Sequence, residues 1–251
     1  MLLINDLSKT FGGITALKNL KLEVNRGEVV GLIGPNGSGK TTTINLVTGI
    51  YTSDTGSVIL DGKPITNQAA DKITKAGMAR TFQNLRIFER LTVKENVKVA
   101  QNIFNSSIFD NLIVSQKKKE QELIHENEEL LKKFKLIQVK NTKAGSLSYG
   151  EKKRLEMARA LAMRPKILLL DEPAAGMSPP ELDWLTVTIN DLRSSGLAIL
   201  LVEHHMRLVM GVCNRISVLN FGNKIAEGTP SSISKDPEVI TAYLGRENSS
   251  A

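Results

Sequence analysis

A chain of 251 residues, 41% of them hydrophobic and 24% charged, is long enough to bury a sizeable core in one large domain or two lobes. Its 33 basic and 26 acidic residues leave a net charge of +7, which permits an anionic partner such as nucleic acid or a membrane surface but is also ordinary solvation. The lone cysteine, Cys213, excludes an internal disulfide and fits a reducing compartment, and no apolar run approaches the length of a transmembrane helix, so any work at a membrane needs another chain to span it.

Residues 2–7 alternate weakly and predict a strand, and Asn5 and Asp6 argue against reading this start as a signal peptide. Ser8 to Gly13 reads as a polar loop with one aromatic, Phe11. Leu20, Leu22 and Val24 alternate with Lys21 and Glu23, the pattern of a half-exposed strand. Asn25-Arg26-Gly27 then turns the chain into Val29–Ile33, a short apolar run suited to a buried parallel strand.

Next comes Gly34-Pro35-Asn36-Gly37-Ser38-Gly39-Lys40-Thr41-Thr42, which matches the G-x-x-x-x-G-K-[ST] phosphate loop between a strand and a helix. Glycines let backbone N–H groups approach a phosphate and adopt positive φ. The helix N-terminus adds the positive end of a dipole. The Lys40 ammonium reaches β- and γ-phosphates, and the Thr41 hydroxyl can ligate Mg²⁺.

Residues 53–56 form a turn, 57–60 a strand, Asp61-Gly62 a hairpin turn, 69–76 a helix and 78–82 another strand. From Val93 the pattern is helical for a long way. The lysine-rich residues 115–120 read as a solvated helix start, and Leu123, Ile124, Leu130, Leu131 and Phe134 form an amphipathic stripe. Residues 145–150 interrupt, and 151–163 resume as helix. Ser148 is placed as its N-cap with Glu151 three residues later, a capping box that needs no function, although a serine, a glycine (Gly150) and a helix N-terminus also make an anion site.

Residues 167–170 are a buried strand ending in Asp171-Glu172, expected beside the phosphate-loop strand. There Asp171 suits a Mg²⁺ site at the carboxyl edge of a sheet, and Glu172 is placed to polarise an attacking water. Residues 181–192 are a helix with Gly196 just past its end, 197–202 a second buried strand ending in Glu203-His204, and 216–219 with 224–226 a hairpin. Asp236-Pro237 opens a last helix. Cys213 reads as packing. The whole predicts an α/β core that carries the nucleotide, with an inserted helical lobe.

The order of these motifs resembles the nucleotide-binding subunits of ATP-binding cassette (ABC) transporters over nearly the whole chain. That resemblance implies an α/β phosphate-loop NTPase core with a mixed sheet, an antiparallel β subdomain and an inserted helical subdomain. The core would be residues 1–83 and 161–251, and the helical subdomain 84–160. It implies ATP and Mg²⁺ as cofactors. Gln83 would join core to lobe and share the metal with Thr41 and Asp171. Gly34, Asn36, Gly37, Ser38, Gly39, Lys40, Thr41 and Thr42 would hold the phosphates, and Phe11 would stack on adenine. Glu172 would be the general base and His204 the switch histidine, with Lys40 and Gln83 completing the catalytic set. Leu147–Glu151 matches the family signature, so Ser148 and Gly150 would act in trans on ATP held by a second cassette. Tyr149, Glu151 and Ser178 depart from the usual signature and D-loop residues, and His205 stands where an acid is common.

Thr81-Phe82-Gln83-Asn84-Leu85-Arg86-Ile87-Phe88, the signature tyrosine, Glu172-Pro173-Ala174-Ala175-Gly176-Met177 and the ending Ala242-Tyr243-Leu244-Gly245 resemble ATPases of branched-chain amino acid importers; urea and lipopolysaccharide-export cassettes share parts of this. The partners implied are a second cassette, identical or paralogous, integral membrane permease subunits and a separate solute-binding protein, with no nucleic acid. The place implied is the cytoplasmic face of the cell membrane. Residues 84–91 would belong to the docking surface. A non-transport cassette acting on nucleic acid or ribosomes, and an unrelated GTPase or kinase, are the competing readings; the signature and His204 argue against the latter.

Overall fold

The structure is a computed structural model that describes residues 1–82, 85–105 and 113–244. The chain divides into two units, Met1–Arg80 with Lys166–Ala251, and Thr81–Pro165. In chain order the first unit contributes β1 (Leu2–Phe11), β2 (Ile14–Val24), β3 (Val29–Ile33), α1 (Lys40–Val47), β4 (Thr55–Leu60), β5 (Lys63–Pro64), α2 (Ala70–Lys75) and β6 (Met78–Arg80). The second contributes α3 (Val93–Asn105), α4 (Ile113–Lys133) and α5 (Tyr149–Ala162). The chain then returns to the first with β7 (Ile167–Asp171), α6 (Pro179–Ser194), β8 (Ala198–Val202), α7 (Met206–Val212), β9 (Arg215–Asn220), β10 (Asn223–Gly228), α8 (Pro230–Ile233) and α9 (Pro237–Leu244).

Two sheets build the first unit. One is antiparallel, in the order β2-β1-β4-β5. The other runs β10-β9-β3-β8-β7-β6, parallel except where β10 pairs antiparallel with β9. Every residue of β3, β7 and β8 is buried, as expected of parallel strands covered on both faces. In β2 Leu20, Leu22 and Val24 are buried while Lys21 and Glu23 are exposed, the alternation of a one-sided strand. Both sheets and α1 share one apolar cluster that includes Ile4, Leu22, Leu32, Ile44, Leu46, Leu200 and Val202. Burying Ile44, Leu46 and Val47, each worth about 1.5–3 kcal/mol, fixes α1 and the loop that precedes it.

Three expectations change. The strand ending in Asp171 does not lie beside the phosphate-loop strand, because β8 sits between them and pairs with both. Two equally apolar runs carry no signal for which takes the inner slot. Ser8 to Phe11 is strand and not loop; its polar side chains are bonded sideways, Ser8 to Asn19 and Lys9 to Asp54, and only Gly12-Gly13 turns. The strand expected over 78–82 stops at Arg80, where the second unit begins.

In the second unit α3 buries Val93, Asn96, Val97 and Ala100, and α5 buries Leu155, Met157, Ala158 and Ala160. Leu131 and Phe134 of the expected stripe are buried, whereas Ile124 is exposed. The side chains of residues 115–120 lie outside the described residues.

Candidate functional site

The phosphate loop is built from backbone. A Cβ at Gly34, whose φ is +148°, would lie 2.1 Å from the Leu219 carbonyl oxygen and 2.7 Å from Ser38 Oγ. One at Gly39, at φ +108°, would lie 2.7 Å from the Ala16 carbonyl oxygen. These two positions require glycine for lack of room, whereas Gly37, at φ +77°, has open space around it. Lys40 is buried and folds back over the loop, donating to the carbonyls of Gly34 (2.7 Å) and Pro35 (2.9 Å). Burial lowers its pKa, against the upward pull of Glu172 and Asp171. Ser38 is buried and its hydroxyl has no hydrogen-bond partner among the described residues. Thr41 and Thr42 stand on the first turn of α1, with Thr41 exposed.

The register of the parallel sheet brings the acidic residues to this loop. Leu32 of β3 is opposite Val202 of β8, and Val202 is opposite Asp171 of β7, so three strands end in line. Asp171 is nearly buried and its Oδ2 accepts from Arg80 Nη2 at 2.7 Å. Arg80 also donates to Asn45 Oδ1 at 2.8 Å. Glu172 adopts φ +47°, a backbone state that a non-glycine residue holds only at a cost of about 1–3 kcal/mol. Its N–H donates to the Val202 carbonyl at 2.9 Å, and His204 Nδ1 lies 3.8 Å from its Oε1.

Glu203 has a role that the motif pattern does not announce. It is fully buried; Oε1 accepts from the Ala174 N–H at 2.8 Å, and Oε2 accepts from the N–H groups of His204 (2.9 Å) and His205 (3.0 Å). It therefore ties the loop after Glu172 to the turn that carries His204. An acid directly ending an apolar strand, as Asp171 also does, was the available signal. Tyr243 of α9 was missed too: burial raises its pKa, against the downward pull of the Gly34 backbone.

Phe11 ends β1, 41% exposed, with its ring 5.3 Å from that of Tyr51 in an edge-on arrangement and 5.3 Å from Lys9 Nζ. Ser148 and Gly150 belong to the second unit, where Ser148 caps α5. Its hydroxyl donates to Glu151 Oε2 (2.7 Å) and accepts from the Glu151 N–H (3.3 Å), while Glu151 Oε2 also accepts from the Ser148 N–H (2.9 Å). Gln83 lies outside the described residues.

The site fits an anion with a hard cation. A buried hydroxyl without a partner and a cradle that a Cβ would fill suit phosphate oxygens. Among the described residues no three His, Cys, Asp or Glu side chains gather to hold a metal by themselves. The oxygens of Thr41 and Asp171 are the few-ligand set that Mg²⁺ uses when phosphates supply the rest.

A family profile described as "ABC transporter" matches residues 17–175. The chain belongs to the ABC transporter ATP-binding cassette family. A second profile, "branched-chain amino acid ATP-binding cassette transporter", matches residues 223–248, the stretch that holds β10, α9 and Tyr243. The cassette is 42% identical over 246 residues to the high-affinity branched-chain amino acid transport ATP-binding protein BraF of Pseudomonas aeruginosa, covering 96% of each chain. It is 41% identical over 249 residues to the corresponding LivG of Escherichia coli, covering 98% of each. A crystal structure of the ADP conformation of an ATP-binding cassette of an ABC transporter superposes with a TM-score of 0.85 at 33% identity, covering 98% of this chain and 99% of the other.

Proposed function

We propose that this cassette binds ATP with Mg²⁺ and hydrolyses it to power the import of branched-chain amino acids through separate membrane subunits. The observation that carries the chemistry is Glu172, held at positive φ beside His204 on the strand edge that also faces Lys40. The names borne by BraF and LivG, at more than 40% identity over nearly the full length, support the solute.

Lys40 exchanges the Gly34 and Pro35 carbonyls for phosphate oxygens, and the Ser38 hydroxyl gains the partner it lacks. Thr41, Asp171 and Gln83 would hold Mg²⁺, which would supply charge neutralisation at the phosphates. Glu172 takes the proton of the attacking water, and His204 holds that water and the γ-phosphate in line. Phe11 stacks on the adenine. Ser148 and Gly150 close the site of a second cassette, identical or paralogous, so that ATP joins two chains. Among the described residues no helix is long and apolar enough to cross a membrane. Permease subunits of the kind BraF and LivG serve do the spanning, with the cassette at the cytoplasmic face. A separate solute-binding protein supplies the amino acid.

The test is purification with the membrane subunits followed by reconstitution into vesicles. ATP-dependent uptake of leucine, isoleucine or valine is the expected result. Uptake of a different solute, or stable association with ribosomes or DNA in place of a membrane subunit, overturns the reading.

A further inference from the structure

Glu172 and Glu203 are each the first residue past an apolar strand, β7 and β8, and these run parallel with Asp171 opposite Val202. The two acids end up in opposite surroundings. Glu172 stays partly exposed, with His204 Nδ1 3.8 Å from its Oε1. Glu203 is completely buried, and its Oε2 lies 3.9 Å from the same nitrogen. The two oxygens of Glu203 serve different segments. Oε1 accepts from the N–H of Ala174, two residues beyond Glu172, at 2.8 Å. Oε2 accepts from the N–H groups of His204 and His205, which open the turn after β8.

As a packing residue Glu203 is a poor choice, because an apolar side chain of similar size fills buried space without taking a charge out of water. What the carboxylate supplies is an acceptor at each end. A glutamine in its place has one acceptor oxygen and one nitrogen that can only donate. It can serve Ala174 or the two histidine N–H groups, and it must turn donors toward the other side. All three donors are backbone groups, so the carboxylate holds main chain on both sides of the gap between Glu172 and His204. The Glu172 N–H is already fixed to the Val202 carbonyl at 2.9 Å, and Glu203 fixes the turn that follows it.

We propose that Glu203 is a positioning residue that sets the separation of Glu172 and His204, by clamping the loop that follows the one to the turn that carries the other. Being fully buried, it meets neither the attacking water nor the nucleotide itself. Its effect falls on the chemical step and leaves ATP binding by the phosphate loop alone. This rests on the reading of Glu172 as the general base and of His204 as the residue that holds the water and the γ-phosphate.

Steady-state ATPase assays, equilibrium ATP binding and amide hydrogen exchange on the full chain test it. Glu203→Gln keeps the volume and removes one of the two acceptor ends. Its kcat should fall about 10- to 100-fold, as expected of a misplacement of about 1 Å, while the Kd for Mg²⁺-ATP stays within about twofold. In the native chain the amides of Ala174, His204 and His205 should exchange slowly. In Glu203→Gln either Ala174 or the histidine pair should exchange about tenfold faster, and not all three. A merely structural role gives a different pattern, in which all three amides loosen together and ATP binding is lost along with turnover. That pattern overturns the proposal, and so does a folded Glu203→Gln chain with native kcat. Rapid exchange at Ala174 in the native chain overturns it as well, whether or not the variant folds. Glu172→Gln is measured beside it, and normal turnover there overturns the functional reading instead.

Discussion

Two turns in this cassette carry glycine next to a helix N-terminus, and they are finished in opposite ways. The phosphate loop ends at Gly39, which caps α1 with no side chain, and the first turn of α1 holds no acid. Its free N–H groups and dipole are left for a ligand. The signature turn ends at Ser148, whose hydroxyl and N–H are both engaged by Glu151 in a complete capping box. One helix end is open to an anion and the other is already closed by its own side chains. The first can hold phosphate alone. Under the proposed function the second has to release the Ser148 hydroxyl from Glu151 before it can meet ATP held by a second chain.

The sharpest test separates binding from chemistry. Glu172→Gln keeps the open end intact and removes the base, so turnover should fall by about 10²- to 10⁴-fold while ATP affinity is kept and dimers accumulate. Steady-state ATPase assays with equilibrium binding read both; normal turnover refutes the general-base role.

Lys40→Ala attacks the open end itself. Losing a charged donor to phosphate, worth about 1.5–3 kcal/mol, should weaken ATP binding about 10- to 100-fold in the isolated chain. Ser148→Arg attacks the closed end and should leave that binding unchanged while stopping hydrolysis. If Ser148→Arg weakens monomer binding as much as Lys40→Ala, the two ends do not differ as argued.

Glycine substitutions read the same contrast in stability. Gly34→Ala forces a Cβ to within 2.1 Å of a carbonyl and should cost more than Gly37→Ala, which meets no neighbour and carries only left-handed strain of about 1–2 kcal/mol. Thermal unfolding ranks them; equal costs remove the claim that Gly34 is held by lack of room.

The open end was legible in the sequence and the closed end only half so. Gly34 to Thr42 is a contiguous motif between an apolar strand and a helix, although the carbonyls of Leu219 and Ala16 that leave no room at Gly34 and Gly39 come from distant stretches. Ser148 and Glu151 announced a capping box, but not that the serine's proton would be spent inside it. Contacts across long separations were not legible. Arg80 meets Asp171 across 91 residues, and nothing in either stretch names the other. The insertion of β8 between β3 and β7 had no signal, because all three runs are equally apolar. Glu203 stands at the end of an apolar strand, which marks its place, but its three backbone N–H partners at Ala174, His204 and His205 leave no trace in composition. The same holds for Glu156, a buried residue of α5 whose Oε1 accepts from the backbone N–H groups of Phe82 and Arg86.

The smallest expected effect lies in the closing residue itself. Hydrogen bonds from the Ser148 hydroxyl and then its N–H lower the pKa of Glu151 below the ordinary glutamate value of 4.5. A carboxylate whose folded pKa is depressed contributes stability that is fully present above the unfolded value and is lost as pH falls through the folded one. The capping box should therefore hold unchanged at neutral pH and loosen only below about 4.5. Glu151→Gln keeps an acceptor for the Ser148 N–H but carries no charge, so it should flatten the part of the acid-unfolding curve that belongs to this turn. It should also weaken the hold on the Ser148 hydroxyl, which now donates to a carboxylate, and lower the ATP concentration needed for dimerisation by severalfold. Dimerisation that demands more ATP in Glu151→Gln than in the native chain means that the closed end is not what ATP must open.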